Sequence, residues 1–273
     1  MPELPEVQTV VTQLNRSLHN RRIIKLIDWD TAKLFRPSPA VVGHAIRNAR
    51  IRRVWRRAKL ILIELDNGAT LVVHLKLTGR LLIRREGDPP DVYTHARIAL
   101  DHGLELRFAD IRKFGYIQLI RSPVKLVQIL KKYGPEPLAS TFTPEQLSAI
   151  VRKRTTKIKP LLLDQATISG IGNIYSDEAL FLAHIDPRRA ARTLTDAEVK
   201  RLHRAIRIVL RAGISHHGTS DQWYVDAHGK SGTHQCYLRI YGRSKKPCRR
   251  CGAPIKRVRL GGRSAHFCQK CQH

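Results

Sequence analysis

Apolar positions at Pro5, Val7, Val10, Val11, Leu14 and Leu18 recur at helical spacing, which predicts an amphipathic first helix with proline in its opening turn. From about Ile23 to Ile120 the period shortens to two. Leu60–Ile63 leads through Asp66-Asn67-Gly68 into Thr70–His74, the pattern of a hairpin on an Asn-Gly turn. A second hairpin is expected from Ala96 to Phe108 around Asp101-His102-Gly103. Strands of this kind bury one face each, so the first half should form a β-sandwich or barrel flanked by helices.

Tyr133-Gly134-Pro135-Glu136-Pro137 is turn chemistry, and helical signals take over beyond it. Thr143-Pro144-Glu145 opens one helix with a threonine cap and proline at the first position. Lys159 to Asp164 gives a short second helix, and Gly170-Ile171-Gly172 a tight break. A third helix runs from Asn173 to about His184. A fourth runs from Thr193 to about Ala212, and Thr195-Asp196-Ala197-Glu198 gives it a start like a capping box. No internal repeat or low-complexity tract interrupts this order.

Composition narrows the partner. With 42% hydrophobic residues the chain can bury a core, yet 50 Lys+Arg stand against 22 Asp+Glu, a formal net charge of +28. A folded protein this basic is expected to seek a polyanion, because neutralising phosphates releases condensed counterions. The bias is strongest at the end: Cys236 to His273 holds eleven Lys/Arg and no acid. A membrane surface fits less well, since no helix pairs a wide apolar face with this charge. The first ten residues carry two acids and no basic segment, so they do not read as a signal peptide, and no apolar run approaches a membrane span.

Five cysteines change the picture again. Cys248-x2-Cys251-x16-Cys268-x2-Cys271 is the spacing of two thiolate knuckles around one tetrahedral Zn²⁺ with a β-hairpin between them. So short a segment cannot fold on its own apolar area, and the metal supplies the missing free energy. Four protein ligands leave no open position, so this zinc is structural. Cys236, outside the pairs, reads as an ordinary semi-buried thiol. Thiols of this kind suit a reducing compartment, and the expected location is cytoplasmic and nucleoid-associated.

The remaining motifs carry a resemblance. Pro2-Glu3-Leu4-Pro5-Glu6-Val7 resembles the N-terminal signature of the formamidopyrimidine-DNA glycosylase family of bifunctional glycosylase/AP lyases. The likeness runs through Arg57-Ala58-Lys59, His74-Leu75, Asp110-x-Arg112-Lys113-Phe114-Gly115 and Gly134-Pro135-Glu136-Pro137-Leu138. It continues with Lys159-Pro160, Gly170-Ile171-Gly172-Asn173-Ile174-Tyr175, Tyr241-Gly242-Arg243 and the four cysteines.

It implies an α+β fold: an N-terminal helix-flanked β-sandwich over residues 1–132, a linker over 133–142, a helix–two-turn–helix domain with a lesion-capping loop over 143–235, and a zinc ribbon over 236–273. Double-stranded DNA carrying oxidised or abasic sites would lie across the cleft between two lobes of a monomer.

The chemistry read from the residues agrees with that likeness. Removal of Met1 would leave Pro2 with a secondary amine; an α-amino group titrates near ~8 and a lysine near ~10.4, so the terminal nitrogen is the better nucleophile at neutral pH. The resemblance makes Glu3 the acid/base at the sugar, Lys59 a phosphate contact that protonates a leaving group, and Arg263 the arginine of a second elimination. It makes Asn173, Lys159, Arg154, His74 and His95 DNA contacts, and Leu77, Arg112 and Phe114 the probe inserted where a lesion is flipped out. Leu77 stands where the family usually has the softer methionine. Glu6, Thr219 and Lys230 are expected at the lesion pocket. There Gly229-Lys230-x-Gly232 resembles the capping loop, and Thr233-His234 replaces its usual aromatic residue.

Two other readings stand beside removal of oxidised purines. One is an endonuclease VIII-like relative acting on oxidised pyrimidines, against which Leu4 and the Lys230 loop argue. The other is a zinc-ribbon binding protein without catalysis, against which Pro2 and Glu3 argue.

Overall fold

In the computed structural model, which describes residues 1–273, the chain forms two compact units: Met1–Lys131 with His216–Gln235, and Lys132–Ser215 with Cys236–His273. The segment 216–235, which the sequence groups with the helices, thus belongs to the first unit.

The first unit opens with α1 (Leu4–Leu18), whose buried stripe includes Leu4, Val7, Val10, Val11, Leu14 and Leu18. Nine strands follow. β1 (Ile23–Trp29), β7 (Thr94–Leu100), β8 (Leu104–Asp110) and β6 (Gly79–Arg85) form an antiparallel sheet in that order. The second sheet runs β2 (Phe35–Arg36), β9 (Tyr116–Ile120), β5 (Thr70–His74), β4 (Leu60–Leu65), β3 (Ile51–Arg57), with β2–β9 its one parallel pair. Ile61, Ile63, Leu71 and Val73 of the second sheet share one core with Leu81, Ile98, Leu106 and Phe108 of the first. Period two is blurred in β4 because Leu60 and Leu62 are buried as well as Ile61 and Ile63. The Asn-Gly hairpin forms in the expected register, Leu60 opposite His74 and Glu64 opposite Thr70, with Gly68 at φ 81° supplying the left-handed turn residue.

Two short helices, α2 (Pro39–Ile46) and α3 (Pro123–Leu130), have no counterpart in the sequence reading. Each starts on a serine cap followed by proline, Ser38 accepting from the Val41 amide and Ser122 from that of Lys125. Neither is long enough to display a resolved apolar period.

Segment 216–235 packs on α1 and β6. Gln13 donates to Asp226 (2.8 Å) and accepts from the Ala227 amide (2.9 Å), while the Ile83 amide donates to the Ala227 carbonyl (2.8 Å). These bonds join residues more than 140 positions apart, beyond the reach of any local pattern.

The second unit contains α4 (Pro144–Arg152), α5 (Ile158–Leu163), α6 (Asn173–Leu182) and α7 (Asp196–Ser215), then the hairpin β10 (Lys256–Leu260) and β11 (Arg263–Phe267). The capping box of α7 is complete: the Thr195 amide donates to Glu198 Oε2 (2.8 Å) and the Glu198 amide to Thr195 Oγ1 (3.3 Å). The Arg189 guanidinium beside Glu198 is the chief reason its carboxyl is held down at about 2. α7 approaches α6 closely at Gly213, where a Cβ would come within 2.4 Å of the Tyr175 hydroxyl.

Between α5 and α6 the chain makes two turns. Gln165 organises them, accepting from the Gly170 amide (2.9 Å) and donating to the Ile171 carbonyl (2.7 Å). α6 therefore begins at Asn173 with Gly172 as its N-cap residue.

Candidate functional site

In the first unit, Pro2 and Glu3 are buried at the head of α1. Glu3 is the N-cap residue, and it forms a reciprocal capping box with Glu6. The Glu3 amide donates to Glu6 Oε2 (2.8 Å), and the other Glu6 oxygen accepts from the Thr219 amide (2.8 Å). Glu6 thus ties the N-terminus to segment 216–235 and brings itself and Thr219 together. Close by, burial and the negative charge of Glu6 push the Tyr224 phenol well above its usual range. Gly218, at φ 85°, allows this approach, since a Cβ there would meet the Glu6 side chain at 3.0 Å.

Lys59 follows Ala58, whose φ of 54° makes the tight β3–β4 turn. Its ammonium is buried and lies near His74, which is opposite Leu60 across the hairpin. Burial, followed by the charges of Lys76, Lys59 and Arg36, brings His74 down to about 3. His74 is therefore neutral at physiological pH. Its Nδ1 accepts from the Lys76 amide (2.9 Å), which leaves the hydrogen on Nε2, so His74 offers an anion a directed hydrogen bond rather than a charge.

That shift has a consequence for stability. The unfolded imidazole takes up a proton near ~6.5 and the folded one does not, so protons favour the unfolded chain between about 6.5 and 3. The His74 contribution is complete above that window and is lost as pH falls through it. Replacing His74→Gln should flatten the acid limb of stability across this window, as read by urea midpoints at each pH.

Leu77, Arg112 and Phe114 come together on neighbouring turns. Thr78 is hydrogen-bonded to Asp110 Oδ1, and its hydroxyl also accepts from the Arg112 amide (3.2 Å). Asp110 Oδ2 takes the Gly115 amide (2.8 Å), pinning both ends of the 111–114 turn. At its tip Arg112 and Phe114 are exposed, the guanidinium 4.8 Å from the ring centroid. Gly115 is obligatory, because a Cβ would meet Phe108 at 2.4 Å. An exposed Phe on a rigid turn costs solvation without a partner, and such a side chain suits insertion into a stack of bases.

Lys230 is exposed on a turn closed by Asp226, whose Oδ1 accepts the Lys230 amide (2.8 Å). His234 is buried and stacked on His216 with ring centroids 5.3 Å apart.

Two residues expected to touch DNA are turned inward. His95 is buried with Nδ1 on Asp30 (2.7 Å) and Nε2 on the Asp110 carbonyl (2.7 Å), so it braces the 111–114 turn from behind. Lys159, in the second unit, is fully buried, its ammonium bonded to Asp177 Oδ1 (2.5 Å) and the Ser264 carbonyl (2.5 Å). Nothing local in the sequence tells an exposed lysine or histidine from one buried against partners distant in the chain.

In the same unit Arg154 and Arg263 are exposed. Arg263 follows the Gly261-Gly262 turn of the hairpin, whose glycines lie at φ 55° and 76°. Asn173, first residue of α6, donates from Nδ2 to Ser264 Oγ (3.3 Å), while its buried Oδ1 has no partner. Amide nitrogens at this helix start face the direction an anion favours.

The four cysteine sulfurs Cys248, Cys251, Cys268 and Cys271 lie within 4.8 Å of one another. Tetrahedral Zn–S bonds of about 2.3 Å place sulfurs about 3.8 Å apart, and the Cys248–Cys271 and Cys251–Cys268 separations are 4.0 and 3.4 Å. Burial and then the neighbouring sulfurs push the Cys271 thiol up to about 12, a repulsion a divalent cation would relieve. The donor set fits one structural Zn²⁺. Cys236 is exposed rather than semi-buried and lies outside the cluster.

The sequence gives no sign that Asp110 and Asp177 organise their surroundings. Asp110 sits in the Asp110–Gly115 motif, but nothing local distinguishes a carboxylate that pins a turn from one that is solvated.

Three family models match the chain: the formamidopyrimidine-DNA glycosylase N-terminal domain over residues 1–117, the formamidopyrimidine-DNA glycosylase H2TH domain over 133–224, and a zinc finger found in FPG and IleRS over 245–273. The formamidopyrimidine-DNA glycosylase of Herpetosiphon aurantiacus is 47% identical over 100% of both chains. That of Pelotomaculum thermopropionicum is 44% identical, covering 100% of this chain and 99% of its own. Among solved structures, a complex of Lactococcus lactis Fpg with abasic-site DNA superposes with a TM-score of 0.93 at 33% identity, covering 99% of each chain. MutM in complex with carbocyclic 8-oxo-G DNA gives a TM-score of 0.91 at 33% identity over 100% of each.

Proposed function

The chain belongs to the formamidopyrimidine-DNA glycosylase family, and on that premise we propose that it excises oxidised purines through the nitrogen of Pro2. It is a base-excision DNA glycosylase and AP lyase acting on DNA with 8-oxoguanine, formamidopyrimidine or abasic sites, and it carries one structural zinc.

The observation that carries the site assignment is the fixed N-terminus: Pro2 is buried at the head of α1, held by the Glu3/Glu6 capping box and by the bond from Thr219 to Glu6. Release of Met1 frees the Pro2 nitrogen as an amine. Its lone pair attacks the deoxyribose C1′, the N-glycosidic bond breaks, and the base leaves with that electron pair and a proton. The sugar ring opens to an iminium, with Glu3 moving protons at the sugar. Loss of a C2′ hydrogen then expels the 3′ phosphate, whose leaving oxygen Lys59 protonates. Loss of the C4′ hydrogen expels the 5′ phosphate, a step assigned to Arg263. Hydrolysis of the enamine–imine finally frees Pro2.

Around this chemistry His74, Arg154 and Asn173 hold phosphates, and Leu77, Arg112 and Phe114 fill the space of the everted nucleotide, a few kcal/mol of unstacking being the cost they offset. Glu6, Thr219 and Lys230 line the lesion pocket. Residues 133–142 are taken as the linker at the start of the H2TH match, and segment 216–235 as functioning with the first unit, in which it packs. A net charge of +28 supports residence on the nucleoid, and no helix is long and apolar enough to cross a membrane.

The purine assignment is tested by single-turnover excision. The 8-oxoguanine:C duplex should be cut at least ~10²-fold faster than thymine-glycol:A, since a site built to hydrogen-bond one base rejects another by leaving its own groups unpaired. Equal or reversed rates would favour the pyrimidine-directed reading.

A further inference from the structure

Buried in the second unit is a chain of charges that the proposed reaction does not use. Asp177 on α6 is 1% exposed and divides its two oxygens: Oδ1 binds Lys159 Nζ (2.5 Å), while Oδ2 accepts both the His266 amide (3.0 Å) and His266 Nδ1 (2.9 Å). Lys159 passes the connection on to the Ser264 carbonyl (2.5 Å). One carboxylate on a helix therefore holds strand β11 at two alternate residues, 264 and 266, through a side chain and a main-chain bond.

Ser264 is the junction. Its carbonyl belongs to this buried network, its hydroxyl accepts from Asn173 Nδ2 (3.3 Å), and its preceding residue is Arg263. The next residue of α6 repeats the device: Glu178, also 1% exposed, accepts the amides of Arg239, Ile240 and Tyr241 at 2.8–3.0 Å. The Tyr241 ring then stands edge-on to His266, centroids 5.2 Å apart. Two neighbouring carboxylates thus fasten the zinc module to the helix whose first residue is Asn173.

A buried ion pair contributes little net stability over an apolar pair of the same volume, so its presence calls for another explanation. A two-residue glycine turn carrying an exposed arginine has little rigidity of its own. From these observations we propose that Asp177 is a positioning residue: acting through Lys159, His266 and Ser264, it sets the register of the zinc hairpin on α6 and so aims Arg263 at the substrate. The inference rests on the assignment of Arg263 to the second elimination.

The test is the ratio of δ- to β-elimination product formed in one reaction on an abasic duplex, which is independent of how much enzyme is folded. Misplacing a reacting group by about 1 Å can cost ~10²-fold, so Asp177→Asn should lower this ratio at least ~10-fold while zinc stays at one per chain. Asn leaves Lys159 without its counter-charge, so the pair Lys159→Met with Asp177→Leu, which fills the same volume with apolar atoms, is measured beside it and should lower the ratio equally. Arg263→Ala is the reference and should lower it at least as far. A wild-type ratio in both Asp177 variants, with the ratio reduced in Arg263→Ala, overturns the inference. A wild-type ratio in Arg263→Ala itself removes the reading beneath it.

Discussion

A chain whose N-terminus is extended by a residue that cannot be removed should yield no borohydride-trapped adduct on abasic DNA and should lose at least ~10³-fold in strand cleavage, the scale seen when a covalent nucleophile is lost. The nitrogen of Pro2 would then be an amide, with its lone pair delocalised into a carbonyl and no means of forming an iminium. The burial of Pro2 and the capping box that fixes Glu3 leave no slack for another amine to take its place. Pro2→Gly distinguishes the ring from the amine: it keeps a terminal nitrogen but makes it a primary amine free to rotate about N–Cα, where the pyrrolidine ring had fixed it, so adduct should persist at a reduced rate. Trapped adduct at the wild-type rate from the extended chain, with mass spectrometry showing the extension intact, would end the Pro2 assignment.

Removing the zinc should have the other large effect. Structural Zn²⁺ supplies folding free energy on the order of 10 kcal/mol, and the small core around it, Phe181, Ile240 and Ile255 with the buried cysteines, cannot replace that amount. Cys268→Ser, or exhaustive chelation, should unfold the β10–β11 hairpin and release Arg263 and Ser264 from α6. Hydrogen bonds to charged groups contribute about 1.5–3 kcal/mol each, so losing one or two phosphate contacts should weaken duplex binding ~10- to 10⁴-fold and lower the salt slope by ~1 per contact. The δ-elimination product should vanish before the trapped adduct does, because Pro2 lies in the other unit. Undiminished affinity in a zinc-free preparation would show that the hairpin folds without its metal.

Much of this is legible in the sequence. The stripe of α1, the Asn-Gly hairpin and the Thr195/Glu198 capping box are local: each is decided within one or two turns by spacing, by a residue that tolerates positive φ, or by a cap. The four cysteines are legible for a similar reason, since coordination geometry constrains their spacing. α2 and α3 escaped because eight residues seldom establish a period, and β2 because two residues establish none.

The chemistry divides along the same line. Chain order alone makes Pro2 the first residue after Met1, and the motifs around Lys59 and Asn173 are contiguous, so their candidacy is written in the sequence. Whether a charged side chain faces solvent or a buried partner is not. Lys159 meets Asp177 eighteen residues away and Ser264 more than a hundred away, His95 meets Asp30 across 65, and Gln13 claims segment 216–235 from over 210. Burial of a charge depends on whether a counter-charge arrives to offset its desolvation. Spacing and residue type therefore determined the longer elements and the metal, and resemblance named the candidate reactive groups. Tertiary structure decided which charged side chains are buried and which stay exposed, because that choice is a sum over contacts between residues that are strangers along the chain.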